Sequence, residues 1–292
     1  MTPLRVGTRG SALALVQARW VADRLEEAEI VEIVTSGDKA RGVGDKSRWV
    51  DAIEAALVAG EIDVAVHSAK DVPAALADGC AIVATPPRAS AVDVVVVRAV
   101  SAARPGHPPV ALAELAEGAS VGTSSLRRQA QVLSVRPDLE VVELRGNVDT
   151  RLRKLDAGEA DAIVLAAAGL ERLGITRDAA PLDFVPAPGQ GTLAVEARAD
   201  DERVRAAVQA IHDAVTFADL EAERAAVRVL EATCHTPVGI HVREGTIRGF
   251  VGLPDGSAWV ADELPGRDGE ALARRMLAAG AGALLAQAEA TA

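Results

Sequence analysis

Short apolar runs alternate with longer amphipathic runs over the first two thirds of this 292-residue chain. The apolar runs predict strands at residues 4–7, 30–35, 63–67, 81–84, 92–97, 120–122, 140–144 and 161–165. Apolar residues at helical spacing predict helices at residues 11–28, 48–59, 124–134, 148–157 and 167–173. Because alternating strands and helices are typical of α/β layers, we expect largely parallel sheets covered by helices.

Two short repeats predict that this pattern occurs twice. Residues 6–8 and 121–123 both read Val-Gly-Thr, each time at a turn from a strand into a helix. Residues 60–63 (Gly-Glu-Ile-Asp) precede one apolar strand, and residues 158–161 (Gly-Glu-Ala-Asp) precede another. Chance produces matches of this length, but their common order favours two similar α/β domains.

Proline and glycine mark the borders between the predicted domains. Pro86 and Pro87 lie between the two repeats, and the turn-rich stretch 181–191 ends the second repeat. From about residue 206 the pattern changes to helices at 203–215 and 219–231, a strand pair at 246–253 and 257–263, and a last helix from about residue 269. Domain 1 is therefore predicted to comprise residues 1–88 and 188–204, domain 2 residues 89–187, and a smaller α+β domain 3 residues 205–292.

Composition narrows the classes of partner. The chain carries 31 Lys and Arg against 42 Asp and Glu, for a formal net charge of −11, which argues against nucleic acid or an anionic membrane as a partner. The two cysteines, Cys80 and Cys234, are too few for a disulfide framework and fit no metal-ligand spacing, so we expect no metal. Since neither a signal-peptide pattern nor an apolar run of ~20 residues is present, we expect a cytoplasmic protein.

Two adjacent arginines, Arg127 and Arg128, fall in the first turn of a predicted helix that Ser124 or Ser125 can N-cap. This turn already carries partial positive charge and unpaired N–H groups, so cations there lower helix stability. A bound anion would offset that loss, because backbone, hydroxyl and guanidinium groups could all contact it. The alternative is a solvated helix face that carries arginines by chance.

Polar and cationic residues follow several predicted strands at the point where each strand ends. They are Arg9 and Ser11; Lys70 and Asp71; Thr123, Ser125, Arg127 and Arg128; and Arg145, Gly146, Asn147 and Arg151. Open α/β sheets bind ligands at the carboxyl ends of their strands, so these sets are expected to face one another across a cleft. Five arginines and one lysine there could bind several carboxylates or phosphates. Neither a Walker-type loop nor a dinucleotide glycine pattern is present, which argues against a nucleotide.

Asp71 and Cys234 are the candidates for chemistry. Nearby cations should keep Asp71 ionised, and a fixed carboxylate suits stabilising a cation or relaying protons. The alternative is that Asp71 N-caps the next segment or pairs with Lys70. Cys234 is expected in a loop after a helix, a setting compatible with a reactive or modified thiol. The alternative there is an inert, small apolar side chain.

Taken together, these residues resemble the hydroxymethylbilane synthase (porphobilinogen deaminase) family over nearly the whole chain. The motifs are Val-Gly-Thr-Arg-Gly-Ser at 6–11, His-Ser-Ala-Lys-Asp-Val-Pro at 67–73, Gly-Thr-Ser-Ser-Leu-Arg-Arg-Gln at 122–129, Leu-Arg-Gly-Asn-Val-Asp-Thr-Arg at 144–151, Pro-Gly-Gln-Gly at 188–191, and Cys234 with Pro237 and Gly239. Several of these motifs are distinctive, and their occurrence in one chain is highly specific.

The resemblance implies two α/β domains like those of periplasmic binding proteins around a central active-site cleft, plus a smaller C-terminal α+β domain. It implies a dipyrromethane cofactor joined by a thioether to Cys234, in a monomeric cytoplasmic transferase of porphyrin and haem biosynthesis. Four porphobilinogen molecules would be added head-to-tail with loss of ammonia, and hydrolysis would release hydroxymethylbilane.

The same resemblance implies roles for individual residues. Asp71 would be catalytic and would stabilise the cation formed when a pyrrole unit loses ammonia. The cofactor would be bound by Cys234, Lys70, Ser125, Arg127, Arg128, Arg145 and Gly146. The substrate would be bound by Arg9, Ser11, Lys46, Arg151 and Gln190. Because every pyrrole carries two carboxylates, the growing chain is a polyanion that these cations would hold.

The chain departs from the family pattern in two places. Residues 44–49 read Gly-Asp-Lys-Ser-Arg-Trp where the family often has Gly-Gly-Lys-Gly-Leu-Phe, and Gly42 replaces a second lysine. Fewer glycines and the added Asp45 predict a stiffer, differently charged lid loop. Thr233 stands where glycine often precedes the cysteine, which predicts an altered cofactor loop.

Two other functional classes are compatible with parts of the sequence. A non-catalytic, two-domain anion-binding protein explains the arginines at the strand ends and the repeat, but it leaves the third domain with Cys234 unexplained. A phosphate-handling enzyme is disfavoured, because a phosphate loop and a metal-ligand cluster are both lacking.

Overall fold

The computed structural model describes residues 2–35, 47–98, 109–233 and 236–290. Its strands, in chain order, are β1 Leu4–Thr8, β2 Ala28–Glu32, β3 Val64–Ser68, β4 Cys80–Ala84, β5 Asp93–Val97, β6 Ser120–Gly122, β7 Glu140–Val142, β8 Ala162–Ala166, β9 Ala179–Leu182, β10 Leu193–Arg198, β11 Val238–Arg243, β12 Thr246–Gly252 and β13 Trp259–Pro265. Its helices are α1 Ala12–Ala22, α2 Ser47–Val58, α3 Leu126–Val135, α4 Val148–Asp156, α5 Ala167–Arg172, α6 Glu202–Val208, α7 Ala214–Val229, α8 Gly269–Ala278 and α9 Ala281–Ala290. Within these described ranges, no helix has the length and apolarity needed to cross a lipid bilayer.

The strands form two five-stranded sheets and one three-stranded sheet, and helices flank them, which confirms the predicted α/β class. The first sheet has the strand order β2-β1-β3-β10-β4, and the second has the order β7-β6-β8-β5-β9. In each, one strand runs antiparallel to both of its neighbours: β10 in the first sheet and β5 in the second. The sheets are therefore mixed: the other strands of each sheet all run in one direction, as predicted, but the antiparallel direction of β5 and β10 was not predicted. The reason is that β5 and β10 each follow a crossing of the chain from the other sheet, so they enter from the opposite side.

The predicted duplication is confirmed by the two strand orders, in which β1, β2 and β3 occupy the places of β6, β7 and β8. The aspartates of the repeated Gly-Glu-x-Asp motifs also make equivalent hydrogen bonds in the two units. Asp63 Oδ2 accepts a hydrogen bond from the backbone N–H of Arg5 at 2.9 Å, and Asp161 Oδ2 accepts one from Ser120 N–H at 2.9 Å. In each unit, this aspartate ties the residue before one strand to the edge of the neighbouring strand.

Several elements differ from the prediction. Strands β9, β10 and β11 were not predicted, and in β10 the buried Glu196 interrupts the apolar pattern that would have indicated a strand. The predicted helix 203–215 ends at Val208, and the next helix begins at Ala214 rather than at residue 219. The cause is an N-cap, since the Asp213 side chain accepts a hydrogen bond from Thr216 N–H at 2.7 Å.

The core of the first sheet extends beyond residue 204. Val204 and Val208 of α6 pack with Ile211 against the strands of this sheet. The three-stranded sheet of β11, β12 and β13 has its own core with α7, α8 and α9, which confirms the smaller α+β unit at the C-terminal end.

This third unit packs on both of the others. Leu220 of α7 lies in a buried cluster with Ala69 and Val72, directly beside the end of β3. Phe250 of β12 lies in another with Ala130 of α3 and with Val185. The third unit therefore supports the segments that follow β3 and β6, where the candidate residues lie.

Candidate active site

The loop from β1 into α1 carries Arg9 and Ser11, both half-buried. Ser11 is the N-cap of α1, and its Oγ accepts a hydrogen bond from Ala14 N–H at 3.3 Å. A hydroxyl that accepts at a cap still has its own hydrogen to donate, so Ser11 can also contact an anion.

Lys70 and Asp71 lie in a 3-10 turn, Ala69–Asp71, that follows β3 directly. The backbone of Gly189 packs closely against this turn. Gly189 has φ at +73°, and a Cβ there would lie 2.9 Å from the backbone nitrogen of Lys70. Residues 72–79 form no helix, so Asp71 does not N-cap a helix in that segment. The close contact with Gly189 limits how far the turn that carries Asp71 can move.

Arg127 and Arg128 begin α3, with Ser125 as N-cap. They are 4% and 5% exposed, which excludes the alternative of a solvated helix face. The anion they contact inside the protein is Asp93, the first residue of β5. Arg127 Nη1 donates to Asp93 Oδ2 at 2.7 Å, and Arg128 donates to Asp93 Oδ1 from Nε at 3.0 Å and from Nη2 at 2.8 Å.

Asp93 is the residue of this group that the sequence interpretation missed, because it was predicted only as part of a strand. Burial alone would raise the pKa of Asp93, but the charges of Arg127 and Arg128 outweigh burial and hold that pKa well below its usual range. Its carboxylate is fully buried. The only sequence signal was an acidic residue at the start of an otherwise apolar run.

Arg151 connects the two α/β units electrostatically. Its Nε donates to the carbonyl oxygen of Gly146 at 2.7 Å, and its Nη2 donates to Ser124 Oγ at 3.1 Å. Burial, together with the positive charges of Arg128 and Arg145, lowers the pKa of Arg151 to about 10, while Asp71 acts in the opposite direction. Asp71, from the first unit, is thus close enough to act on an arginine of the second.

Arg145 and Gly146 follow β7 at the edge of this group. Arg145 is exposed and forms an ion pair with Glu143, with Nη2 and Oε1 at 2.6 Å. Gly146 has φ at +126°, where a Cβ would collide with Thr150, so only glycine fits. The structure therefore places Arg145 at the solvent-facing side of the group and Arg151 deeper.

Gln190 lies in the segment that leads back to the first sheet and is 1% exposed. Its Nε2 donates to the Ala91 carbonyl oxygen at 2.6 Å and to Asp93 Oδ1 at 3.0 Å, and its Oε1 is buried without a hydrogen bond. Gln190 therefore holds the two crossing segments together. Arg172 was not predicted as a site residue, but it contacts the same segment. It lies at the end of α5, which follows β8 directly, and it donates to the Gly191 carbonyl oxygen at 2.6 Å.

Two predicted site residues, Lys46 and Cys234, lie outside the described residues. Residues 44–46 of the predicted lid loop lie outside them as well, and residues 47–49 belong to α2. The described residues next to Cys234, Thr233 and Thr236, hydrogen-bond to each other. Thr236 Oγ1 accepts a hydrogen bond from Thr233 N–H at 3.0 Å and donates one to the Thr233 carbonyl oxygen at 2.7 Å.

Comparison with known proteins agrees over almost the full length. The family model described as porphobilinogen deaminase, dipyromethane cofactor binding domain, matches residues 4–206. A porphobilinogen deaminase of Brevibacillus brevis is 43% identical over 307 aligned residues, which cover 97% of this chain and 96% of that protein. Another from Nitrobacter winogradskyi is 44% identical over 289 residues, covering 92% of this chain and 89% of that protein.

Solved structures give a weaker likeness. An ancestral cationic amino acid solute binding protein aligns over 71% of this chain and 87% of that chain, with a TM-score of 0.44 at 16% identity. At these values the likeness says nothing about activity. The long sequence alignments and the family match, by contrast, show that this chain belongs to the porphobilinogen deaminase family of enzymes.

Proposed function

We propose that this chain deaminates and joins four porphobilinogen molecules head-to-tail on a dipyrromethane primer, releasing hydroxymethylbilane and ammonia. The observation that carries the proposal is the group of four arginines around Arg151, which outnumber the carboxylates that face them. Asp93 pairs with both Arg127 and Arg128, Glu143 pairs with Arg145, and Asp71 of the opposite unit acts on Arg151. A site of this kind suits a ligand with several carboxylates that also becomes cationic at one point during the reaction.

The donor set fits the dipyrromethane group. Its carboxylates match the guanidinium groups at the strand ends. Cys234 would supply the sulfur of the thioether, with Lys70, Ser125, Arg127, Arg128, Arg145 and Gly146 around the group. When bound, the group supplies a nucleophilic pyrrole carbon to which the first substrate unit is joined.

The substrate carboxylates would be bound by Arg9, Ser11, Arg151 and Lys46. Gln190, predicted with them, is buried and its amide nitrogen already donates to Ala91 and Asp93, so it would support the site without contacting the substrate. Arg151 is the best placed of the described members, because two of its nitrogens are held by protein acceptors and its orientation is fixed before a ligand arrives. A fixed guanidinium loses less conformational entropy on binding an anion than a mobile one. Arg145, at the exposed side, can meet carboxylates as they enter.

Asp71 would carry the chemistry. Loss of ammonia from porphobilinogen leaves a cationic pyrrole, and a carboxylate held on a rigid turn stabilises such a cation without having to move. The same carboxylate can accept a proton from a pyrrole nitrogen and return it. The contact between Gly189 and the turn supports this role, since it limits displacement of Asp71.

The proposal is tested by porphobilinogen consumption and hydroxymethylbilane formation with the purified protein. Asp71→Asn should lower turnover by about 10²- to 10⁴-fold, the range typical of a general acid or base, while the cofactor stays attached. Asp78→Asn, an exposed aspartate of the same unit, is the matched control and should leave turnover unchanged. Normal turnover in Asp71→Asn would remove Asp71 from this role, and binding of porphobilinogen without conversion by the wild-type chain would favour the anion-binding alternative.

The organisation around this activity is also a proposal. We assign residues 89–187 to the second domain and the remainder to the first and third, with the first extending from 188 to about residue 211 because Val208 and Ile211 pack in its core. The chain is proposed to act as a cytoplasmic monomer without nucleic acid or membrane partners. A solution mass of one chain during turnover is expected.

A further inference from the structure

Asp93 occupies a place that neither catalysis nor direct ligand binding explains. It is fully buried at the start of β5, immediately after the chain crosses from the first sheet to the second. Its two oxygens are divided among three side chains: Oδ2 accepts from Arg127, and Oδ1 accepts from Arg128 and from Gln190.

We propose that Asp93 is a positioning residue that locks the guanidinium groups of Arg127 and Arg128 in the orientation that the cofactor requires, and that its bond to Gln190 anchors it to the returning segment of the chain. This inference rests on the proposed function, because it takes Arg127 and Arg128 as part of the cofactor site.

The geometry fixes Arg128 at all of its nitrogens. Nε and Nη2 donate to Asp93 Oδ1, and Nη1 donates to the Val164 carbonyl oxygen at 2.9 Å. Arg127 is held at one nitrogen, Nη1, which donates to Asp93 and to the Val185 carbonyl oxygen at 2.9 Å. A planar guanidinium held at all three nitrogens, like that of Arg128, cannot rotate, so its remaining N–H groups keep fixed directions.

Charge alone makes the opposite prediction. A carboxylate beside two arginines lowers the positive potential of the site, so its removal should strengthen the binding of an anionic cofactor if potential were all that mattered. If Asp93 positions the arginines, its removal should weaken binding despite the more positive site. The sign of the effect therefore separates the two explanations.

Through Gln190, Asp93 also contacts the segment that returns the chain to the first sheet. Arg88, on the outgoing segment, donates from Nε to the Gln190 carbonyl oxygen at 2.9 Å. Asp93 thus joins the cofactor arginines to both crossings of the chain.

The test compares Asp93→Asn with Asp63→Asn. Asp63 is also a buried carboxylate held by arginines, since it accepts from Arg5 and from Arg203, but it lies away from the cofactor arginines. Both variants lose a buried ion pair, so both should be less stable. In Asp93→Asn the rate at which the chain becomes loaded with the cofactor, read by intact mass after set times with porphobilinogen, should fall about tenfold or more, as expected for one lost charge-assisted hydrogen bond. Asp63→Asn should load normally.

Equal or faster loading in Asp93→Asn than in Asp63→Asn would overturn the positioning role. A wild-type chain that carries no adduct and converts no porphobilinogen would instead contradict the proposed function, so the two failures are distinguishable.

A measurement on the wild-type protein decides the matter if Asp93→Asn does not fold or if no adduct is found. The Arg128 Nε–H donates to Asp93, whereas Arg153 is largely exposed. Side-chain NMR should show strongly slowed solvent exchange of the Arg128 Nε–H relative to that of Arg153. Equal exchange rates would show that Asp93 does not hold Arg128 in place, which overturns the inference.

Discussion

At the level of single residues, buried carboxylates join segments that are distant in the sequence. Glu223 of α7 is fully buried and accepts from Arg88 at 2.6 and 3.1 Å, from Gly189 N–H at 2.7 Å and from Val242 N–H at 2.9 Å, and it contacts His241. These partners come from the first crossing, the return crossing and β11. One carboxylate therefore joins both crossings to the third unit.

We expect Glu223→Gln to lower the free energy of unfolding by about 3–5 kcal/mol at neutral pH, because it leaves Arg88 buried without its counter-charge. Urea unfolding followed by circular dichroism measures this difference. Glu289→Gln, an exposed glutamate on α9, is the control and should change stability by less than about 0.5 kcal/mol.

The effect of Glu223 should depend on pH. Burial alone would raise its pKa, but the hydrogen bond with His241 and the charge of Arg88 outweigh burial and lower that pKa. A group with a lowered folded-state pKa contributes stability above its unfolded pKa, about 4.3, and loses it as pH falls through the folded value. The difference between wild type and Glu223→Gln should therefore be full at pH 7 and shrink below about pH 5. A difference that grows on acidification would contradict this assignment.

At the level of strands and helices, local sequence patterns predicted some features of the fold and missed others. Strand ends were predicted well, because apolar runs and the polar residues after them are local signals. This placed Asp71, Arg128 and Arg151 near one another. The partner of Arg128 was not predictable in the same way, since Asp93 is 35 residues away in the chain and reaches the helix only after β5 pairs with β8. Strand β10 was missed because Glu196 is buried there, against the usual pattern.

The contact between the Gly189 turn and the turn that carries Asp71 gives a test at this scale. In Gly189→Ala the new Cβ would meet the Ala69 and Lys70 backbone at 2.9 Å and displace the turn. A shift of about 1 Å can lower turnover by about 100-fold. Gly174→Ala has a similar positive φ, +63°, with nothing within 4 Å, so it shares the backbone strain of about 1–2 kcal/mol without the collision.

Steady-state kinetics and thermal melts on the two glycine variants separate strain from displacement. Both should melt earlier than wild type, and only Gly189→Ala should lose turnover. Equal turnover in the two variants would mean that the contact does not set the position of Asp71.

The whole molecule is held together by the third unit, which touches both α/β units. Phe250 of β12 packs on Ala130 of α3 and on Val185, beside the two cofactor arginines. Trp259 lies on the neighbouring strand and is half exposed. Phe250→Ala should therefore lower the free energy of unfolding by about 3–5 kcal/mol, and Trp259→Ala by less, because Trp259 leaves a smaller void.

Chemical unfolding of these two variants checks the claim that the third unit is a structural support for α3. A loss in Phe250→Ala no larger than that in Trp259→Ala would show that the third unit packs only loosely on the second.

The proposed activity requires a covalent primer on a site built from strand-end cations. Intact mass spectrometry of the purified wild-type chain and of Cys234→Ala tests this requirement most directly. We expect an added mass equal to two condensed pyrrole units on the wild-type chain, further pyrrole units after brief incubation with porphobilinogen, and neither in Cys234→Ala. An unmodified wild-type mass with no uptake of porphobilinogen, or the same added mass on Cys234→Ala, would contradict it.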